Sequence, residues 1–422
     1  MRRLLLAALT ALAALPSCLW NRFDEEVVDA PVELLDRPAW ILGGYTSVMA
    51  GDPGRDALLV GGYPLLSSGV LFSFDGGSPL LRPACDDQAR CRLLGGPVAV
   101  ADRAGGDRCF LYGVGAGAPG LNDEIGLLGG CATGQLFKLA LSPSIRELFV
   151  EKLFKPGAGA AVFPGLLSVA SAGTLVAAGS PDRSLAMLLD PSVDLPVEIP
   201  APPGADGSFA RSIALAGGEP LTLAVGAPGQ GRVYLFDARG PDRELRACLR
   251  RPGAYGVVLH GFSDRGKPRL AISDGNGIVD VVDPSKIPPS EGCAEAPKEA
   301  IVGALRCAED DKVTGCSDGA FGHALASADL DDDGSPEVIV GAPGLNVRGV
   351  PNAGALAIFR LGPGGDLPRH LFLSSSSAEE RVGTAVAAFR KDGRVVLASS
   401  ALNKQKTPVF HCASTSPSAR CK

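Results

Sequence analysis

The densest run of acidic side chains in this chain is Asp329-Leu330-Asp331-Asp332-Asp333-Gly334-Ser335-Pro336-Glu337. Asp329, Asp331 and Asp333 stand at positions 1, 3 and 5 of that run, with Gly334 at 6, Ser335 at 7 and Glu337 at 9. Hard oxygen donors at alternating positions converge on one centre only where the loop bends sharply, which a glycine at position 6 permits. The chemistry this spacing suits is capture of a hard divalent cation, with Ser335 contributing its backbone carbonyl. Asp332, at position 4, points outward and is not an expected ligand. An EF-hand would need a bidentate Glu at position 12, where this chain has Val340, and the flanks read as strands rather than helices. The alternative is an acidic solvated turn, but so many carboxylates in nine residues repel one another unless a cation joins them.

The segments that must hold this turn are short and apolar. FGHALASA precedes it, EVIVGAP follows, and after a loop comes GALAIF. Runs of four to eight such residues bounded by Gly, Pro and Asp read as buried strands. The order recurs along the chain. Taking the residue that ends the second run as an anchor, the copies fall at Gly61, Gly115 or Gly117, Gly179, Gly226, Ser273, Gly341 and Ser399. Upstream of the anchor sits an aromatic residue, as at Tyr45, Phe163, Phe209, Tyr255 and Phe321, with Val382 in its place in the last copy. Downstream comes a third apolar run, from GVLFSF to TPVFHC. Seven units at roughly 56 residues each suit four-stranded blades with generous loops. Two stacked β-sandwiches, the rival, would not need a constant period.

The aromatic-Gly pair, acidic turn and Gly-Ala-Pro of residues 321–360 resemble the FG-GAP repeat, the blade unit of integrin α-subunit β-propellers. The resemblance covers roughly residues 40–412 through the repeat pattern and is specific in the sixth unit, with the fourth a good second. It implies an all-β, seven-bladed β-propeller of FG-GAP (integrin α-like) type. It also implies that the acidic turn is similar to the β-hairpin Ca²⁺ loops of that family. These carry an acidic residue at position 9, so Glu337 joins Asp329, Asp331, Asp333 and Ser335 in the expected ligand set for one Ca²⁺. The matching turns of other units, such as GDPGRD, DRAGGDR, SDRGKP and KDGR, lack three spaced carboxylates. In the family, ligands meet the face opposite the Ca²⁺ hairpins. That implies recognition through loops 118–133, 343–353 and 400–407, and through the long connection 284–318.

Composition agrees with a folded, turn-rich β protein: 55 Gly and 34 Pro occur alongside 46% hydrophobic residues, too apolar a chain for disorder. A formal net charge of −6 without a basic stripe argues against nucleic acid as a partner. Residues 1–17 have a basic start and an apolar run from Leu4 to Leu15, too short to span a bilayer, and read as a secretory signal. Leu15-Pro16-Ser17-Cys18 resembles the bacterial lipobox, which implies lipid attachment at Cys18 and a place in the cell envelope. The alternative is ordinary cleavage near Ala14. Residues 18–25 read as a tether, 26–412 as the propeller and 413–422 as a tail. Residues 26–36 read either as the outer strand of the last blade, joining the chain ends, or as more tether.

Of eleven cysteines, ten remain when Cys18 is set aside, an even number in an exported chain. Short spacings suggest Cys85 with Cys91, Cys109 with Cys131, Cys307 with Cys316 and Cys412 with Cys421; elimination leaves Cys248 with Cys293. Sequence alone does not fix that connectivity. No catalytic constellation is legible. His260, His323, His370 and His411 each sit in or beside a strand-like run, and no G-x-S-x-G, H-E-x-x-H or phosphate-binding loop occurs. The expected function is therefore a non-enzymatic binding or adhesion module for a protein or glycan on its rim. An envelope assembly scaffold and a rim-site hydrolase or lyase are the alternatives.

Overall fold

The structure is a computed structural model. It describes the strands 32–36, 46–52, 57–62, 69–73, 109–115, 126–131, 136–141 and 148–154. From residue 168 it describes all but 191, 193–195, 241–242, 291, 308, 310–312, 317–318, 331–332, 362–370, 375–377, 392–393, 400–405 and 412–422. Asp331, Cys18, Cys85, Cys91, Cys412 and Cys421 thus lie outside the described residues.

The strands form successive antiparallel meanders. After β1 (Val32–Asp36), the first sheet is β2 (Thr46–Asp52), β3 (Ala57–Gly62) and β4 (Gly69–Ser73). The second is β5 (Cys109–Gly115), β6 (Gly126–Cys131), β7 (Leu136–Leu141) and β8 (Leu148–Phe154). The third is β9 (Ser168–Ala172), β10 (Leu175–Ser180), β11 (Leu185–Leu189) and β12 (Val197–Pro200). The fourth is β13 (Ser212–Ala216), β14 (Thr222–Ala227), β15 (Arg232–Asp237) and β16 (Leu245–Arg250). The fifth begins with β17 (Val258–Asp264), β18 (Lys267–Ser273) and β19 (Ile278–Val282). Next, β20 (Cys293–Ala294) adds to the fourth sheet, parallel to β16, and β21 (Ile301–Arg306) completes the fifth. β22 (Val313–Thr314) precedes the sixth sheet, made of β23 (Ala324–Ala328), β24 (Glu337–Ala342), β26 (Ala355–Phe359) and β27 (Leu371–Ser374). Between β24 and β26, β25 (Asn346–Val347) pairs with β22. The last sheet is β28 (Val386–Lys391), β29 (Arg394–Ser399) and β30 (Lys406–His411), and β1 pairs antiparallel with β30, Leu34 opposite Pro408. First strands of consecutive sheets lie against one another, β2 on β5, β5 on β9, β9 on β13, β13 on β17, β17 on β23 and β23 on β28, and β28 lies on β2.

Alternation along each strand explains the packing. Side chains two apart share a face. On β13, Ile213 and Leu215 join the core shared with the third sheet, while Ala214 and Ala216 join the core shared with the fifth. On β15, Tyr234 and Phe236 face one way and Val233 and Leu235 the other. Two further cores lie between the fifth and sixth sheets and between the sixth and seventh. Each core thus belongs to two sheets. Burial on both faces is why β10, β14 and β24 carry the apolar runs LVAAG, LAVGA and VIVGA and have every residue buried.

The repeated glycines set how close the sheets come. Phe209, Tyr255 and Phe321 are buried, and each is followed by a left-handed residue: Ala210 (φ 67°), Gly256 (84°) and Gly322 (87°). Gly383 (97°) follows Val382 in the same way. This conformation turns amides inward: Gly256 N–H donates to the carbonyl of Ser273 (2.9 Å), and Gly322 N–H to that of Gly341 (3.0 Å). The carbonyl of the left-handed residue then points at the anchor of the preceding sheet. A Cβ on Gly179 would stand 2.2 Å from the Ala210 oxygen, on Gly226 2.3 Å from that of Gly256, and on Gly341 2.1 Å from that of Gly383. Where the anchor is Ser273, its partner is bare instead: a Cβ on Gly322 would meet Ser273 Oγ at 2.1 Å. A polar contact adds to these between the fifth and sixth sheets, His260 Nε2 to Ser327 Oγ at 2.9 Å, and burial pushes that imidazole down to about 4.

Gly341→Ala should therefore cost about 2 kcal/mol or more, since the added methyl meets backbone that cannot step aside. Gly292→Ala, with nothing within 4 Å of the added carbon, should change stability by less than about 0.5 kcal/mol. Urea denaturation midpoints of the two variants check the contrast.

Candidate metal centre and the opposite rim

The acidic run connects β23 to β24, and hydrogen bonds from its own amides fold it. Asp329 accepts from the N–H of Asp333 at Oδ1 (3.0 Å) and from that of Gly334 at Oδ2 (2.8 Å). Gly334 takes φ 81°, the sharp bend expected at position 6. Asp333 Oδ1 accepts from Ser335 N–H (2.8 Å), and Glu337, only 5% exposed, accepts from Leu330 N–H at Oε2 (2.8 Å). Asp329, Asp333, Ser335 and Glu337 are thus brought into one turn. Asp331, the central member of the expected set, lies outside the described residues.

The described donors are hard oxygens, the chemistry Ca²⁺ requires. Each Asp329 oxygen uses one lone pair on an amide and keeps another. The carboxylate that fits least well is Asp333. Its Oδ2 is held by Arg360, with Arg265 at 3.8 Å, so guanidinium charge already offsets it. Among the described residues, no three His, Cys, Asp or Glu side chains are grouped to hold a metal ion. The set is compatible with a cation and incomplete without Asp331.

The turn is also tied to its neighbour sheet, which sequence reasoning missed. Ser335 Oγ donates to Asp264 Oδ1 (2.7 Å), at the end of β17. Asp264 Oδ2 meets Arg269 (3.0 Å), and Arg269, 6% exposed, reaches Asp283 (3.0 Å) and the Pro268 carbonyl (3.0 Å). Asp283 Oδ1 caps the following turn through Ser285 N–H (3.0 Å). Asp264 and Arg265 belong to SDRGKP, the fifth unit's equivalent of the acidic turn. That turn has too few carboxylates of its own, but neighbouring sheets place equivalent turns side by side. Its signal was there: an acid and a base in a position that abuts the acidic turn.

The long connection expected over the opposite rim, 284–318, instead divides between the two ends: 284–300 joins β19 to β21 at the acidic-turn end, where Asp283 N–H donates to the Ala300 carbonyl (2.8 Å), and 307–316 follows β21 at the opposite end. Cys248 and Cys293 are bridged, stapling β20 to the outer edge of the fourth sheet. Cys307 and Cys316 are bridged too, and β22 beside them pairs with β25 in loop 343–353. Leu345, Val347 and Val313 are buried in that junction, and Glu309 accepts from the N–H groups of Gly315 and Cys316 (2.9 and 2.8 Å). Cys109 and Cys131 stand opposite each other in the β5–β6 register. The excursion is a clasp across three sheets, and loop 343–353 leaves Arg348, Gly349 and Pro351 exposed. Residues 118–125 and 400–405 of the other expected loops lie outside the described residues.

The end opposite the acidic turn carries a cavity of about 490 Å³ where the fourth, fifth and sixth sheets meet. Arg211 enters it from just before β13, Ala254, Val257 and Val258 from the approach to β17, Asp274 from just after β18, and His323 from just before β23. Asp274 Oδ1 accepts from the N–H groups of Asn276 and Ile278 (2.8 and 3.1 Å). Behind it, Asp280 pairs with Arg251 at 2.5 Å; burial and the Asp280 charge push the Tyr255 hydroxyl far up.

Residues 321–359 match the FG-GAP repeat family. No curated protein matches the chain in sequence. Solved structures do resemble it in fold. The Cps50 (Swd1) β-propeller domain of Myceliophteria thermophila superposes with a TM-score of 0.51 at 13% identity, covering 90% of this chain and 99% of that one. A chain of the mitotic checkpoint complex gives 0.54 at 14%, covering 92% and 93%. Chaetomium thermophilum Raptor gives 0.54 at 12%, covering 91% of this chain, which spans 29% of Raptor's length. The chain is all-β, has β-propeller structural neighbours and contains an FG-GAP repeat.

Removing the hub of the buried charge chain should be costly. Arg269→Met leaves Asp264 and Asp283 buried without their partner, so stability should fall by about 3 kcal/mol. Chemical denaturation of the variant beside the parent protein measures this.

Proposed function

We propose that the chain is an exported, lipid-anchored, seven-bladed FG-GAP β-propeller. In this reading it acts as a non-enzymatic interaction or adhesion module at the bacterial cell envelope. The observation that carries the reading is the repeated contact between a left-handed residue after an aromatic and a bare anchor in the preceding sheet, within a chain whose sixth unit matches the FG-GAP family. Ring closure is supported by the pairing of β1 with β30 and by the contact of β28 with β2. In this reading residues 1–17 are removed, Cys18 carries the lipid, and the stretch before β1 tethers the propeller to the membrane.

One Ca²⁺ completes the turn between β23 and β24, held by Asp329, Asp331, Asp333, Glu337 and the Ser335 carbonyl. The hard-oxygen donor set and the buried Glu337 support it. The ion's part is structural: it neutralises the turn and stiffens the hairpin beside Asp264. Recognition belongs to the opposite end, where the clasp gives the rim a fixed shape and a protein or glycan partner can reach it. Nothing in the composition suits nucleic acid.

Two measurements check these assignments. Ca²⁺ at about a hundred times its Kd should add about 2.7 kcal/mol of stability, seen as a raised melting temperature that EDTA reverses. Asp331→Ala with Asp333→Ala should abolish the shift, and a parent protein indifferent to Ca²⁺ would remove the metal from the account. In cells, the protein should sediment with membranes, and Cys18→Ser should release it into the soluble exported fraction; unchanged sedimentation would contradict lipid attachment.

A further inference from the structure

We propose that the cavity between the fourth, fifth and sixth sheets is a binding site for a carboxylate, with Arg211 as its ion-pair partner. The inference deepens the interaction-module reading by naming the ligand chemistry of one rim site, and it rests on that reading for its biological setting.

The argument starts from charge. Arg239, Arg251, Arg269, Arg360 and Arg381 all have carboxylate partners. Arg211 is exposed at the cavity and forms no ion pair among the described residues. Its backbone is fixed, since its own N–H donates to the Ser208 carbonyl (3.2 Å) at the start of β13. A guanidinium presents paired N–H donors in a plane, and a carboxylate matches them with two parallel hydrogen bonds.

The rest of the wall narrows the ligand. Asp274 has Oδ1 committed to two backbone amides, and the carboxylate's remaining capacity can accept from an N–H or O–H of the ligand. Its negative charge also disfavours a dianion such as phosphate beside it. Partial burial lowers the His323 pKa, which favours the neutral imidazole, with one donor and one acceptor, over a second cation. Ala254, Val257 and Val258 give an apolar side suited to a short aliphatic stem. At about 490 Å³ the space suits a small acid or one or two residues of a peptide. The ligand class is a monovalent carboxylate on a short aliphatic stem with a hydrogen-bond donor nearby. It can come from a free hydroxy-acid or from an aspartyl residue of a partner chain.

Titrations of the whole exported chain by calorimetry or chemical-shift perturbation distinguish these sources. The probes are 3-hydroxybutyrate, acetyl-Ala-Asp-Ala-amide and, as a neutral control, acetyl-Ala-Asn-Ala-amide. At least one carboxylate probe should bind, the asparagine peptide should bind at least tenfold more weakly, and Arg211→Gln should weaken the carboxylate probe at least tenfold. Arg211 is exposed, so the variant should fold, and an unchanged melting temperature verifies it. Binding of the aspartyl peptide points to a partner chain, and binding of 3-hydroxybutyrate alone points to a free acid; either supports the site. Absence of binding by both carboxylates at 10 mM (roughly the weakest specific contact worth having), or equal binding by Arg211→Gln, overturns the inference. A protein that captures an envelope partner yet binds neither carboxylate probe overturns the inference while leaving the interaction-module reading intact.

Discussion

The contact on which the rest of this structure depends is a backbone carbonyl pressed against a residue that has no side chain to spare. At Gly179, Gly226 and Gly341 the oxygen of the next sheet's left-handed residue occupies the place a Cβ would take. A methyl there would hold the sheets apart along the first strands, and cores shared between sheets would lose their close fit. The aromatic residue before the left-handed position is buried at Phe209, Tyr255 and Phe321, so the carbonyl is aimed by a packed ring as well as by φ. The two ends of the repeat motif are therefore halves of one joint, in neighbouring sheets.

Polar groups follow the same inter-sheet logic. At the hairpin end, Ser335, Asp264, Arg269 and Asp283 form a line from the acidic turn through the fifth sheet. At the rim end, Arg251 and Asp280 join the fourth sheet to the fifth. Such links stabilise little in excess of their desolvation, but they penalise any shift of one sheet against the next. The disulfide-bridged clasp adds a covalent version, binding the fourth sheet's edge through Cys293 and the β25 loop through β22. Among the described residues, the rim end also carries the cavity around Arg211.

The repeat was legible because its joints use residue types that few other environments demand. Gly at the anchor, an aromatic and Gly before the first strand, and apolar runs of fixed order suffice to locate the sheets. Ala210 shows the limit: its left-handed φ of 67° is dictated by the joint, and nothing in its residue type announces it. The course of residues 284–318 was not legible. β20 and β22 are two residues long and pair with β16 and β25 across distant sequence, so no periodicity marks them. In the acidic turn, spacing indicated the bend at Gly334, and the family resemblance implied a role for Glu337. It did not reveal that Arg360 and Arg265 would face Asp333, because those partners come from another strand and another sheet. The cavity likewise draws its polar groups from separate sheets, and the sequence spreads them over positions 211, 274 and 323.

The central claim is that these sheets form one ring closed by the chain's own ends. It predicts that β1 occupies the edge of the last sheet in the register that sets Glu33 opposite Val409. The direct measurement is to introduce cysteines at both positions and map disulfides in the oxidised, exported protein by mass spectrometry. The account predicts a bridge between the two introduced thiols in folded protein, and none when the cysteine at 33 is paired with one at exposed Gly349 on the rim. Absence of the bridge at 33 and 409, in a protein that keeps the Cys248–Cys293 and Cys307–Cys316 pairs, would contradict closure through β1.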